Sequence, residues 1–268
     1  MHNSLFYHSI NSGLSRNLYF WSLIYDHMQL VVDAGNTKIK LAVFKEDKLL
    51  ERQEVVLDHI TAALPILISK FAITKAIIAS VGNLSEVQMR AIQNRFPTVV
   101  LDHRTPMPFH NRYQTPHTLG VDRLGLVAAF AKAYPEKNGL IIDAGTCVTY
   151  DFIDAKNNYH GGAISPGLGL RYAALHKHTA KLPLLSVTED FQLIGDTTSS
   201  SIHSGVIGGL VQEIDGIILQ YKEKYDPLIV VLTGGDAKVL SKRLKNSIFA
   251  HSNFLLEGLN YILKLTND

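Results

Sequence analysis

Residues 30–37 read Leu-Val-Val-Asp-Ala-Gly-Asn-Thr, and residues 140–147 read Leu-Ile-Ile-Asp-Ala-Gly-Thr-Cys, nearly the same run displaced by 110 positions. In both, a short apolar strand breaks at Asp-Ala-Gly and a second strand follows. Glycine at that point lets the backbone turn sharply and come close to a ligand. The N–H groups exposed by such a turn form a concavity suited to anions. One copy alone would read better as a plain β-hairpin with a polar turn. Two copies, each opening one half of the chain, predict two similar lobes facing each other across a cleft.

Outward from the first copy, strands are expected over 28–33, 39–44 and 49–57, joined by tight polar turns such as Glu46-Asp47-Lys48. Helical spacing of apolar residues over 60–71 and 84–96 flanks a strand at 75–80, and 98–101 adds another strand. The first half is therefore βββαβαβ. Around the second copy, a helix is expected over 119–134 and strands over 139–143, 147–153 and 159–164. A long helix over 202–221, a buried strand over 228–232 and a closing helix over 255–265 complete it. The expected organisation is α/β, with an N-terminal lobe over 28–115 and a C-terminal lobe over 116–268. Residues 1–27 show no clean period and lack the basic start of a signal peptide. They are read as an extension outside the fold, with Met28 as the initiator.

The chain is 46% hydrophobic and 19% charged, an ordinary globular composition, and its net charge of +2 supplies no field for nucleic acid or a membrane surface. No run of 18 or more apolar residues occurs, so no membrane span is expected. The single cysteine, Cys147, excludes an internal disulfide and suits a reducing compartment. It reads as a buried, inert thiol, because no basic partner is evident. His176-Lys177-His178 lacks a second ligand pair at metal spacing and reads as a basic surface turn. Lys242-Arg243-Leu244-Lys245 reads as a solvated helix end.

The residues around the two turns have the chemistry of a phosphate site. In 33–40, Gly35 allows the turn, Asn36 and Thr37 add side-chain donors, and Lys40 adds a positive charge for phosphate oxygens. Asp33 would hold Mg²⁺ directly or through water, since hard cations take carboxylate oxygens. Asp143-Ala144-Gly145-Thr146 offers the matching turn from the other half. Neither GxxxxGK[ST] nor a GxGxxG after a strand is present, so nucleotide binding rests on the pair of turns. Residues 230–236 form a buried strand that breaks at Gly234-Gly235. Backbone need and ligand contact explain that pair equally well on its own; beside two phosphate turns, ligand contact is favoured. Gly120-Val121-Asp122-Arg123 sits where a helix begins. Asp122 could accept the proton of an attacking hydroxyl, and Arg123 could grip a substrate carboxylate. From spacing alone, a first-turn carboxylate favoured by the helix dipole and a solvated arginine is the better reading.

The paired hairpins resemble the ATPase core shared by actin and sugar kinases. More narrowly, six motifs stand in the order and at about the spacing found in type III pantothenate kinases. They are Asp-x-Gly-Asn-Thr-x-x-Lys at 33–40, Tyr-x-x-Pro-x-x-Leu-Gly-x-Asp-Arg at 113–123, Asp-x-Gly-Thr at 143–146, Gly-Gly-x-Ile-x-Pro-Gly at 161–167, Thr198 before Ser204-Gly205, and Leu256-Glu257-Gly258-Leu259. The resemblance covers residues 28–265. It implies two ribonuclease-H-like, actin-like lobes of βββαβα type around a nucleotide cleft, in a cytoplasmic homodimer. It further implies Mg²⁺-dependent transfer of the γ-phosphate of ATP to pantothenate, giving 4′-phosphopantothenate at the first step of coenzyme A synthesis.

Residue by residue, the resemblance implies ATP phosphates at Asp33, Gly35, Asn36, Thr37 and Lys40, a further ATP contact at Thr146, and adenosine against Gly234 and Gly235. It implies pantothenate at Tyr113, Gly120, Val121, Asp122 and Arg123, with Asp122 as proton acceptor. It implies K⁺ or NH₄⁺ at Asp143, and a pantothenate contact from Thr198 across a dimer interface. Two other readings share the paired turns. One is another kinase or phosphatase of the superfamily, such as a sugar or acetate kinase or an exopolyphosphatase; segments 120–123 and 161–167 argue against it. The other is a non-catalytic, nucleotide-gated regulatory protein; the near-neutral charge and intact Asp122 argue against that.

Overall fold

The computed structural model describes residues 28–35, 38–56, 59–81 and 84–266, so the expectations for residues 1–27, Asn36 and Thr37 lie outside the described residues. The first Asp-Ala-Gly run ends β1 (Met28–Ala34), which is followed by β2 (Ile39–Lys45), β3 (Lys48–Val55), α1 (Ile60–Lys70), β4 (Ile73–Ser80), α2 (Glu86–Gln93) and β5 (Thr98–Val100). These strands form a sheet in the order β3-β2-β1-β4-β5, with β1 antiparallel to β2 and parallel to β4. The chain then passes through β6 (His110–Asn111), a 3₁₀ turn at Pro116–Thr118 and α3 (Val121–Ala133).

The second run ends β7 (Asn138–Ala144). It leads into β8 (Cys147–Ile153), β9 (Asn158–Pro166), α4 (Leu168–Lys177), α5 (Thr198–His203), a π turn at Ser204–Gly208 and α6 (Gly209–Tyr225). The chain closes with β10 (Leu228–Thr233), α7 (Ala237–Ser241), β11 (Phe249–Ala250) and α8 (Phe254–Leu265). The second sheet runs β11-β10-β7-β8-β9-β6. Its stretch β9-β8-β7-β10-β11 has the same order and directions as β3-β2-β1-β4-β5. The repeat seen in sequence is therefore a repeat of topology, and the expected pair of α/β lobes is what forms.

Strand alternation sends each sheet's side chains to two faces, and both faces are covered. In the first sheet Leu30, Val32, Leu41 and Ile78 pack outward with residues of α1 and α2, such as Leu64 and Ile92. In the second, Leu140, Ile142, Val148 and Tyr150 pack outward with residues of α4 to α7. Val31, Phe44 and Ile77 of the first sheet and Ile141, Ile153 and Val231 of the second share one inner core with α3 and α8. Those two helices cross closely. A Cβ at Gly125 would sit 2.7 Å from Leu255 Cδ1, and one at Gly258 would run into the Gly125 carbonyl. Helix α3 thus lies between the sheets.

Several elements differ from expectation for identifiable reasons. The helix expected from residue 119 starts at Val121, because Pro116–Thr118 winds separately and Leu119 is extended. The long helical stretch begins early, at Thr198, where Thr197 and Ser200 form a capping box. It runs to Tyr225 through the π turn. By length and composition 198–225 could cross a membrane, but Ile202, Ile207, Leu210, Ile214 and Ile218 are buried against the second sheet. His176 and Lys177 end helix α4 rather than forming a turn, a placement that suits the negative end of its dipole. Cys147 is half-buried, not buried. Arg243 is not simply solvated: its guanidinium lies 5.5 Å from the Phe191 ring centroid.

Candidate active site

The two hairpins place their aspartates at equivalent ladder positions. Asp33 faces Lys40 across β1–β2, and Asp143 faces Thr149 across β7–β8. Lys40 Nζ lies 3.2 Å from Asp33 Oδ2. At the first hairpin the Gly35 N–H donates to Lys38 O at 3.1 Å; at the second the Gly145 N–H donates to Cys147 O at 2.9 Å. Strand β10 runs beside β7 with Thr233 opposite Asp143. Gly234 follows at φ 97°, and a Cβ there would run into Ala144 O and Asp143 Oδ1. The Asp236 N–H donates to Ala144 O at 2.9 Å. From the other side the Gly167 N–H donates to Thr146 O at 3.0 Å. Segments 143–146, 161–167 and 233–236 therefore meet at one turn. Gly235 differs from its neighbour: nothing would obstruct a side chain there.

Helix α3 brings the third carboxylate. Asp122 lies in its first turn, with Oδ1 accepting from the Arg123 N–H at 2.9 Å. A Cβ at Gly120 would displace that oxygen. Burial pushes Asp33 above the ordinary aspartate range; the Lys40 charge and hydrogen bond oppose it, and Asp122 adds to it. Asp143 is pushed up to about 7, chiefly by burial, with Lys40 opposing and Asp122, Asp33 and Asp151 adding. Carboxylates from β1, β7 and α3 thus act on one another electrostatically, and Lys40 pairs with the first of them. An excess of carboxylate oxygens over positive charge is the donor chemistry of hard cations. Among the described residues no group of three or more His, Cys, Asp or Glu could hold a metal by itself.

The raised Asp143 gives a stability prediction for the ligand-free protein. Between pH 3.8 and about 7 the folded chain keeps a proton that the unfolded chain has lost, so this group makes stability fall as pH rises through that window. Asp143→Asn removes the effect. It is expected to raise Tm at pH 8, by about 2–4 °C for each kcal/mol relieved, and to change it little at pH 4. Thermal unfolding of both proteins at the two pH values checks this, and an Asn variant no more stable than wild type at pH 8 would contradict it.

On the other side of Asp122, Arg123 is 5% exposed, which corrects the solvated arginine expected from spacing. Its Nε donates to Asp151 Oδ1 at 2.8 Å, and Nη2 lies 2.7 Å from the same oxygen. The Tyr159 hydroxyl also donates to that oxygen, at 2.6 Å. The guanidinium stands 5.7 Å from the Tyr113 ring centroid, and Tyr113 is parallel to Tyr159 within 9° at 6.4 Å. Gly161, at φ 93°, makes room for Tyr113, since a Cβ would lie 2.8 Å from its Cδ2. Burial opposes the charge on Arg123, but the Asp151 carboxylate and its hydrogen bond outweigh it and hold the guanidinium above its ordinary range.

A sequence model of the type III pantothenate kinases matches residues 29–220. The chain belongs to that family. A protein named type III pantothenate kinase from Flavobacterium johnsoniae is 47% identical over 244 residues, spanning 90% of this chain and 100% of its own length. Among solved structures, a protein named as a Baf family transcriptional activator from Campylobacter jejuni matches with a TM-score of 0.58 at 21% identity, covering 89% of this chain and 98% of its own. A protein named as an N-acetylmannosamine kinase from Listeria monocytogenes matches at 0.52 and 10% identity, covering 90% and 100%. At such identities these two structures share the fold.

Within this type III pantothenate kinase fold, the expected residues sort into two connected groups. Asp33, Gly35 and Lys40 belong to the first hairpin, Asp143 and Thr146 to the second with Gly234 packed on it, and Asp122 lies in the first turn of α3. Tyr113 and Arg123 pack together beside it, with Gly120 and Val121 at the helix start. Thr198 stands apart: it is exposed at the start of α5, whose Ile202 packs in the outer core of the second sheet. Sequence reading missed Asp151 and Tyr159. The available signal was a carboxylate inside the strand Cys-Val-Thr-Tyr-Asp-Phe-Ile, at the same parity as the core residue Ile153.

Proposed function

We propose that this chain transfers the γ-phosphate of ATP to the primary hydroxyl of pantothenate, with Asp122 accepting the hydroxyl proton. The observation that carries the reading is the position of Asp122 in the first turn of α3, bonded to the N–H of buried Arg123, where its charge also bears on both turn aspartates. Phosphoryl transfer needs an in-line nucleophile, charge neutralisation and exclusion of water. Gly35, Asn36, Thr37 and Lys40 from one lobe and Thr146 from the other take the phosphates, and Gly234 and Gly235 lie against the adenosine. Lobes 28–115 and 116–268 close on the nucleotide. Mg²⁺ at Asp33 and a monovalent cation, K⁺ or NH₄⁺, at Asp143 would supply positive charge beside the phosphates. Tyr113, Gly120, Val121 and Arg123 hold pantothenate, with Arg123 on its carboxylate. Thr198 contributes from a second copy in a homodimer. Exposed Leu184, Leu193 and Ile194, at 61%, 87% and 81%, precede Thr198 and support such a partner. The enzyme is placed in the cytoplasm.

A coupled ADP-release assay with ATP–Mg²⁺, run with K⁺ and then with Na⁺ alone, tests this. Pantothenate-dependent release, faster in K⁺, is expected. Release indifferent to pantothenate would assign the fold to another kinase or ATPase activity. No release from folded protein would favour the regulatory reading.

A further inference from the structure

We propose that Asp151, backed by Tyr159, is a positioning residue that aims the outer edge of the Arg123 guanidinium at the substrate's carboxylate; this rests on reading the site as one for pantothenate. Asp151 is wholly buried in the middle of β8, on the face turned toward α3. A carboxylate there has to be matched by hydrogen bonds and an opposite charge. Both come from distant parts of the chain: Arg123 lies 28 residues earlier and Tyr159 eight later. All three approaches converge on one oxygen, Oδ1.

The geometry of the fork is what matters for function. A guanidinium offers five N–H donors in a fixed plane. Asp151 lies against Nε and Nη2, which sets that plane and leaves Nη1 at the outer edge for the substrate carboxylate. Nη2 and Asp151 Oδ2 are buried atoms without a well-aligned hydrogen-bond partner among the described residues, so the pair is held chiefly through Nε. Tyr113 lies against it, with Tyr159 parallel to Tyr113. A long arginine side chain would otherwise lose rotamer freedom on binding. Here that freedom is already removed, which favours affinity through preorganisation.

Asp151→Asn keeps the shape and an acceptor oxygen but removes the charge that holds the fork. The test compares pantothenate with its neutral alcohol analogue, in which CH₂OH replaces the carboxylate. With D151N, KM for pantothenate is expected to rise roughly tenfold or more, as for loss of a well-oriented charge-assisted pair. KM for ATP and for the alcohol should stay within about twofold. R123Q should show the same selectivity, and the double variant should be no worse than R123Q alone, since the two act as one unit. A general loss of packing would raise all three KM values together, and that result, or an unchanged KM for pantothenate, would overturn the proposal. If D151N does not fold by thermal unfolding, Tyr159→Phe removes only the supporting hydroxyl and should give a smaller shift of the same selectivity; no selective shift in Y159F would overturn it too. Selectivity in R123Q without selectivity in D151N rejects the role of Asp151 while the reading of Arg123 stands. A wild type with no pantothenate-dependent turnover rejects the reading itself.

Discussion

Asp122→Asn is expected to turn over about 10²- to 10⁴-fold more slowly than wild type, the range for loss of a well-placed general base, with KM for either substrate moving far less. The substitution is close to isosteric. An asparagine carbonyl can still accept from the Arg123 N–H, the bond that Asp122 Oδ1 makes at 2.9 Å, and it meets no new atom beside Gly120. What it cannot do is take a proton. The change also removes a negative charge that raises both Asp33 and Asp143, so binding of the anionic nucleotide should hold or tighten. Slow turnover with preserved KM therefore separates loss of the base from loss of the site. Steady-state kinetics on both proteins, with thermal unfolding as a folding control, make the measurement. Near-wild-type turnover in the variant would remove Asp122 from the role of proton acceptor.

Much of the fold was legible because its signal is local. Each Asp-Ala-Gly run, its apolar strand and the strand after it lie close together, over 28–45 and 138–153, and period-two alternation marks the buried faces. The twofold topology follows from reading that run twice. The segments that escaped notice depend on partners far along the chain. Strands β6 and β11 are two residues each and exist through pairing with β9 and β10, so neither has a local pattern to read. Helix α4 follows Gly167 with a weak apolar stripe, and its bounds depend on docking against the second sheet.

The same distinction governs the site. The turns and the start of α3 were readable because glycine, aspartate and helix onset are adjacent in sequence. The state of Arg123 was not. Helix-start statistics favour a solvated arginine, and only the return of β8 with Asp151 shows it to be buried. Asp122 was placed correctly at a helix start, yet its coupling to Asp33 and Asp143 arises from three elements brought together between two sheets. The double glycine also resisted reading, since adjacent glycines look alike in sequence while only one has a positive φ and a crowded Cα.

That asymmetry gives the second large effect. Gly234→Ala should raise KM for ATP at least about tenfold, equivalent to about 1.4 kcal/mol, and should lower Tm, while Gly235→Ala should leave Tm nearly unchanged. At φ 97° an L-residue is strained, which costs on the order of 1–3 kcal/mol. The added methyl would also collide with Ala144 O and Asp143 Oδ1, and neither can yield freely. Ala144 O is held by the Asp236 N–H at 2.9 Å, and Asp143 sits in the ladder between β8 and β10. Relief must come from moving β10 away from the second turn, which opens the surface proposed to face the nucleotide. At Gly235 an added methyl would meet nothing within 4 Å and the backbone is not in the left-handed region, so alanine there should change stability by less than about 0.5 kcal/mol. Parallel kinetics and thermal unfolding of the two variants decide it. An equal Tm for the pair would mean that Gly234 does not shape the second turn; a Gly234→Ala protein with lowered Tm but unchanged KM for ATP would confine its role to stability and place the nucleotide elsewhere.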